Sequence, residues 1–142
     1  MDPIDRHIAD LEPLTTDELI EQRVSSLVGR AVNRQVWLLF LHADAVQSPL
    51  VMPISDLPAT PTADDLDNWS YFITETTEAA GATSLIVVIE RFAGTRLNDN
   101  DRAWARFVSD GCRQAGVPLR AVALSHRRGV RLVSDGEYRG GG

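Results

Sequence analysis

The fold of this chain is decided by one stretch, Ser84-Leu85-Ile86-Val87-Val88-Ile89-Glu90-Arg91-Phe92-Ala93-Gly94-Thr95-Arg96-Leu97-Asn98-Asp99-Asn100-Asp101. The apolar run 85–89 predicts a strand that is buried on both faces. Asn98 is a residue type that caps helices, so a helix should begin directly after it. A buried strand, a short loop and a capped helix often carry catalytic side chains in α/β enzymes. The loop between Glu90 and Asp101 is therefore the first candidate for a functional site.

Outward from this stretch, hydrophobic periodicity and turn residues predict the remaining elements. The first is a helix that starts at a capping box of Thr15 and Glu18 and ends near Gly29 or Asn33, followed by strand Val36–Leu41 and its antiparallel partner Leu50–Ile54, which carries Pro53. A second helix is capped by Thr62 and ended by Gly81, and a third runs from Asn98 to Gly116. The last two strands, Leu119–Leu124 and Val130–Val133, are joined by a turn at 125–129. The order α-ββ-α-β-α-ββ predicts an α/β domain, a mixed sheet of about five strands flanked by three helices.

Length and composition limit the possible classes of protein. A chain of 142 residues fits a single domain, which we place at 15–135, after a loosely ordered segment 1–14 and before a flexible Gly-rich tail 136–142. No apolar run approaches the ~20 residues that span a bilayer, and the acidic start lacks the positive region of a signal peptide. We therefore expect a cytoplasmic protein without membrane contact. With Cys112 as the only cysteine, an internal disulfide or a multi-cysteine metal cage is excluded.

All fourteen basic residues are arginine. The absence of lysine excludes Schiff-base catalysis and a Walker-type phosphate lysine. Residues 1–90 hold 4 arginines against 15 acidic residues, whereas residues 91–142 hold 10 arginines against 5. The candidates for a basic surface are Arg91, Arg96, Arg127, Arg128 and Arg131. Because the pI is about 4.9, we favour pairing with acidic groups of the same chain or of a second copy over binding of nucleic acid, which remains an alternative.

The ordered elements of residues 34–135, with the stretch Ser84 to Asp101 and Ala115-Gly116-Val117-Pro118-Leu119, resemble the RadC-like branch of the JAB/MPN domain family. Active members of that family carry a His-x-His-Pro motif at the end of the strand and Ser-x-x-Asp at the start of the next helix. Their two histidines and the aspartate hold zinc, and an upstream glutamate activates the bound water.

On this chain the two histidine positions are occupied by Glu90 and Phe92, the proline position by Ala93, and Ser-x-x-Asp by Asn98 to Asp101, in a loop about two residues shorter. A catalytic zinc needs about three protein ligands and an open position, and phenylalanine is not a ligand. The resemblance therefore implies a JAB-like fold without its zinc site, hence no metal and no cofactor. We expect Glu90 and Arg91 to form a structural salt bridge and Phe92 to act as an aromatic plug.

Three function hypotheses follow from these residues. The first is a non-catalytic module, a pseudoenzyme that binds a protein partner or self-associates, with a candidate surface of Glu90, Arg91, Phe92, Arg96, Asp101, Arg127, Arg128 and Arg131. The second is a hydrolase with an unrelated acid–base site built from Glu90 with a raised pKa, Asp101, His42 or His126. The third is nucleic-acid binding by the C-terminal arginines. We expect Cys112, Trp37, Trp69 and Trp104 to pack in the core.

Overall fold

The computed structural model describes residues 12–139 of the chain, except 56 and 59. Its elements in chain order are α1 (Asp17–Leu27), β1 (Gln35–Leu41), β2 (Gln47–Ile54), a 3-10 turn (Ala63–Asp65), α2 (Leu66–Ala79), β3 (Ser84–Glu90), α3 (Asp99–Ala115), β4 (Leu119–His126), β5 (Gly129–Val133) and α4 (Asp135–Tyr138). The predicted α/β architecture with a five-stranded mixed sheet is confirmed. Residues 1–11 and 140–142, predicted to be loose, lie outside the described residues.

Strand β3 lies at the centre of the sheet, whose order is β2-β1-β3-β4-β5. It pairs with β1 antiparallel and with β4 parallel, and the hairpin partners β2 and β5 form the two edges. Leu85, Val87 and Ile89 face α2 and α3 on one side, while Ile86 and Val88 face α1 on the other. Burial on both faces explains the uninterrupted apolar run. It also fixes the carboxyl end of β3, where the candidate site lies.

Two helix starts differ from the sequence-based prediction. The N-cap of α1 is Thr16, whose side chain accepts a hydrogen bond from the Leu19 amide, so the prediction of Thr15 was wrong by one residue. Helix α2 begins after the 3-10 turn with Asp65 at its N-cap. Thr62 instead donates its hydroxyl to the Asp65 carboxylate at 2.6 Å. Both differences arise because several Thr and Asp residues in succession can each cap a helix.

The ends of α3 and the position of Pro53 were predicted correctly. Asn98 and Asp101 form a reciprocal capping box at the helix start, and Gly116 ends the helix in the left-handed conformation with φ 71°. Pro53 lies on edge strand β2, where a residue without an N–H donor is tolerated.

The C-terminal hairpin and the segment after it are more ordered than predicted. Strand β4 continues through Ser125 and His126, so the turn to β5 contains only Arg127 and Arg128. Part of the segment predicted as a flexible tail is helix α4, where Ser134 and Glu137 form a capping box and Tyr138 is buried. No helix within the described residues is long and apolar enough to cross a membrane.

Candidate functional site

The carboxyl end of β3 meets the start of β1 and the end of β4, because Glu90 pairs in register with Gln35 on one side and Ser125 on the other. A cavity of about 300 Å³ opens at this end of the sheet. It is lined by Arg34, Gln35, Val36, Leu57, Ile89, Glu90, Arg91, Phe92, Ala93, Asn98, Asn100, Asp101 and Trp104. The loop singled out from the sequence therefore lines a cavity and is not packed shut.

Glu90 is the most deeply buried charged residue of this site, with 2% of its surface exposed. Its Oε2 accepts hydrogen bonds from the backbone amides of Val32 and Asn33, both at 2.8 Å. Its Oε1 accepts from Gln35 Nε2 at 2.8 Å and from Trp37 Nε1 at 2.9 Å. The carboxylate thus joins the loop before β1 and the first residues of β1 to the end of β3.

The pKa of Glu90 reflects this network. Burial is the largest single influence and acts to raise the pKa, but the hydrogen bonds from Trp37, Val32, Asn33 and Gln35 favour the ionised form. Together they hold the pKa below its ordinary value of 4.5. The prediction of a raised pKa was wrong, since a carboxylate ionised throughout the neutral range with four donors in place is not a proton donor and is a poor general base.

Arg91 pairs with Asp101 and not with Glu90, which corrects the predicted salt bridge. Its Nε donates to Asp101 Oδ2 at 2.9 Å, and both side chains are buried. Its Nη1 and Nη2 donate to the carbonyls of Gly94 and Arg96, each at 2.7 Å. Asp101 Oδ2 also accepts the Asn98 amide at 3.0 Å. One guanidinium therefore fixes the shape of the whole loop from residue 91 to the start of α3.

Phe92 points away from the protein, although it was predicted to be an aromatic plug. It is 71% exposed, because the loop held by Arg91 turns this side chain outward on the rim of the cavity. Val32 is also exposed, at 72%, in the loop whose amides bind Glu90. Phe92 and Val32 therefore place two exposed apolar side chains on the two loops that adjoin Glu90.

The arginines of the candidate surface fall into two groups. Arg96, Arg127 and Arg128 are exposed, and their guanidinium groups have no hydrogen bond or ion pair with the described residues. The Arg127 amide donates to the Ala93 carbonyl at 2.9 Å, so the β4–β5 turn lies directly against the loop that carries Phe92. Arg131 is half-buried and binds Glu137 at 2.8 Å. Of the eight residues predicted for partner contact, Glu90, Arg91 and Asp101 instead support the surface from beneath.

The two histidines proposed for an acid–base site are not brought together. His42 follows β1 at the opposite end of the sheet, where its Nδ1 lies 2.9 Å from the Gly81 carbonyl oxygen. His126 ends β4 beside the basic residues. Burial, and then the positive charges of Arg91, Arg131 and Arg128, lower its pKa. A neutral imidazole fits the contact of His126 Nδ1 with the Arg128 amide at 3.3 Å.

The residues present do not fit the zinc site that the JAB resemblance would imply. Phe92 offers no ligand atom at one histidine position, and the Glu90 oxygens at the other are directed at four N–H donors. Asp101 is held by Arg91 and the Asn98 amide. Among the described residues, no group of three or more His, Cys, Asp and Glu is placed to hold a metal ion.

Cys112 and the tryptophans pack as predicted. Burial raises the pKa of the Cys112 thiol to about 12, so the thiol is not a nucleophile at neutral pH. Trp69 and Trp104 contact each other and Phe107 through ring pairs with centroids 5.6–6.3 Å apart. Trp37 is half-buried, and its indole N–H is the donor to Glu90.

The partners of Glu90 were not predicted from the sequence. Val32 and Asn33 contribute backbone amides, which leave no trace in residue types. Gln35 and Trp37 lie on one face of β1, two residues apart. These two N–H donors on one strand face, and an acidic residue at the end of a buried strand, were the sequence signal that could have predicted the hydrogen bonds. Comparison of the chain with protein-family models gave no match, and comparison with curated proteins likewise gave none.

Proposed function

We propose that this chain is a cytoplasmic, non-catalytic protein-interaction module of RadC-like JAB type, whose partner-binding surface is centred on Phe92. The order of the described elements supports the resemblance, since it runs hairpin, helix, buried strand, motif loop, capped helix and hairpin. The observation that carries the proposal is that Phe92, at the position of a family zinc ligand, is 71% exposed.

The buried groups beneath Phe92 support binding over catalysis. A general base needs a free lone pair within reach of a substrate proton, and both carboxylate oxygens of Glu90 and the Oδ2 atom of Asp101 are engaged with internal donors. Exposed aromatic and arginine side chains are the types that dominate the energetics of protein interfaces. The loop supplies both types on a backbone that Arg91 holds at the carbonyls of Gly94 and Arg96.

A photocrosslinking residue at position 92 tests this proposal. We expect p-benzoylphenylalanine in place of Phe92 to give a protein adduct in cells, while the same residue in place of Ser26, exposed on α1, gives none. Phe92→Ala should change the free energy of unfolding by less than about 0.5 kcal/mol, because the side chain buries little surface. Equal labelling at both positions, or an adduct with nucleic acid alone, would contradict a protein-binding surface at Phe92.

A further inference from the structure

A second surface of this chain is complementary to the one around Phe92. On α2, Asp67, Tyr71, Glu75 and Glu78 recur at helical spacing and are all exposed. Tyr71 is 68% exposed, and Glu75 and Glu78 have no hydrogen bond or ion pair with the described residues. We call these four residues the acidic face, and Phe92, Arg96, Arg127 and Arg128 the basic edge.

The two surfaces match in composition and in chemistry. Each has an exposed aromatic ring among charged side chains of one sign, negative on the acidic face and positive on the basic edge. They share no residue and lie on different elements. Opposite potentials across an interface steer association and set its register, and arginine also stacks on the faces of aromatic rings.

We infer that the partner of the basic edge is the acidic face of a second copy of this chain. This inference rests on the proposed function and names its partner. When a copy places its basic edge on one neighbour and its acidic face on another, the contact is heterologous, and each added copy presents a new free acidic face or basic edge. A heterologous contact builds open chains of copies, or rings where the rotation closes, and not a two-fold dimer.

The charges predict how the assembly responds to salt. The guanidinium and carboxylate groups involved are solvent-exposed in the single copy, so their attraction is screened once the Debye length becomes short. Sedimentation velocity should show oligomers that grow with protein concentration at about 0.05 M salt and dissociate to single copies at about 0.5 M salt. Protein that remains a single copy at every concentration in low salt would overturn the inference.

Two variants test whether both surfaces are needed, whereas a wild-type assembly that stops at two copies would indicate a reciprocal two-fold dimer and would contradict the head-to-tail contact. The basic-edge variant carries Phe92→Ala, Arg127→Gln and Arg128→Gln, and the acidic-face variant carries Tyr71→Ala, Glu75→Gln and Glu78→Gln. Each variant alone should associate at least about tenfold more weakly, because each lacks one of the two surfaces. Mixed together, they should form a heterodimer that grows no further, since each supplies the surface that the other lacks.

A matched control tests whether the loss of association comes from the acidic face itself and not from a change in net charge. Glu18→Gln with Glu21→Gln on α1 removes the same number of negative charges, two, from the opposite side of the sheet, and it should leave association unchanged. Association that survives loss of the acidic face, or a mixture that does not assemble, would contradict the head-to-tail contact. If the protein stays a single copy while position 92 crosslinks to a different protein, the partner inference fails and the proposed function stands.

Discussion

Replacement of Glu90 by alanine should lower the free energy of unfolding by about 4 kcal/mol, because it leaves four partly buried donors without their acceptor. The donors are the amides of Val32 and Asn33 and the side chains of Gln35 and Trp37. Glu90→Gln should cost nearly as much, since an amide NH₂ would face two N–H donors. Chemical denaturation monitored by tryptophan fluorescence measures both effects.

The comparison for Glu90 is Ser125→Ala. This variant removes one hydrogen bond to the loop before β1 that also binds Glu90, the bond from Ser125 Oγ to the Gly29 carbonyl at 2.6 Å. It should cost about 1 kcal/mol. The pKa of Glu90 is lower in the folded chain than its ordinary 4.5, so its stabilisation is present above pH 4.5 and is lost as the pH falls through the folded-state pKa. A loss below about 1 kcal/mol for Glu90→Ala would show that the network contributes little.

Replacement of Arg91 by alanine should cost about 3–5 kcal/mol, because it removes the only cationic partner that the described residues give the buried Asp101 carboxylate. The carbonyls of Gly94 and Arg96 lose their donors at the same time. Arg91→Lys should recover little, since an ammonium group cannot reproduce the three directions of the guanidinium donors.

A double-mutant cycle separates this pair from its surroundings. Arg91→Ala with Asp101→Ala should be less destabilising than the sum of the single losses, by about 0.5–3 kcal/mol. The control is Arg102→Ala, which breaks the ion pair with Asp99 and the hydrogen bond to the Leu97 carbonyl at the same helix end and should cost no more than about 2 kcal/mol. Additive losses for Arg91 and Asp101 would mean that the two side chains do not act together.

The architecture could be predicted from the sequence because local signals agreed with one another. The apolar run 85–89 predicted β3, and Asn98 and Gly116 predicted the start and the end of α3. Signals failed where several residues could do the same task, as for Thr15 and Thr16 at the start of α1. They also failed at β4, where polar Ser125 and His126 suggested a turn although both pair with β5.

The position of the candidate site was predicted from the sequence, but the contacts of its side chains were not. Adjacency in sequence suggested that Arg91 would pair with Glu90, but successive residues of a strand point to opposite faces. The first turn of α3 instead brings Asp101 to Arg91. The outward direction of Phe92 follows from the loop shape that Arg91 imposes through backbone carbonyls, and backbone contacts leave no pattern in residue types. The helical spacing of the acidic residues on α2 is visible in the sequence, but only the structure shows that this face of the helix is exposed.

The central claim is that Glu90 is a structural anion beneath a partner-binding loop, and not an acid, a base or a metal ligand. An NMR pH titration of the Glu90 carboxyl carbon, without and with stoichiometric zinc, tests it most directly. We predict a single transition with a midpoint below 4.5 that zinc does not move. A midpoint in the neutral range, or a resonance displaced by zinc, would contradict the claim.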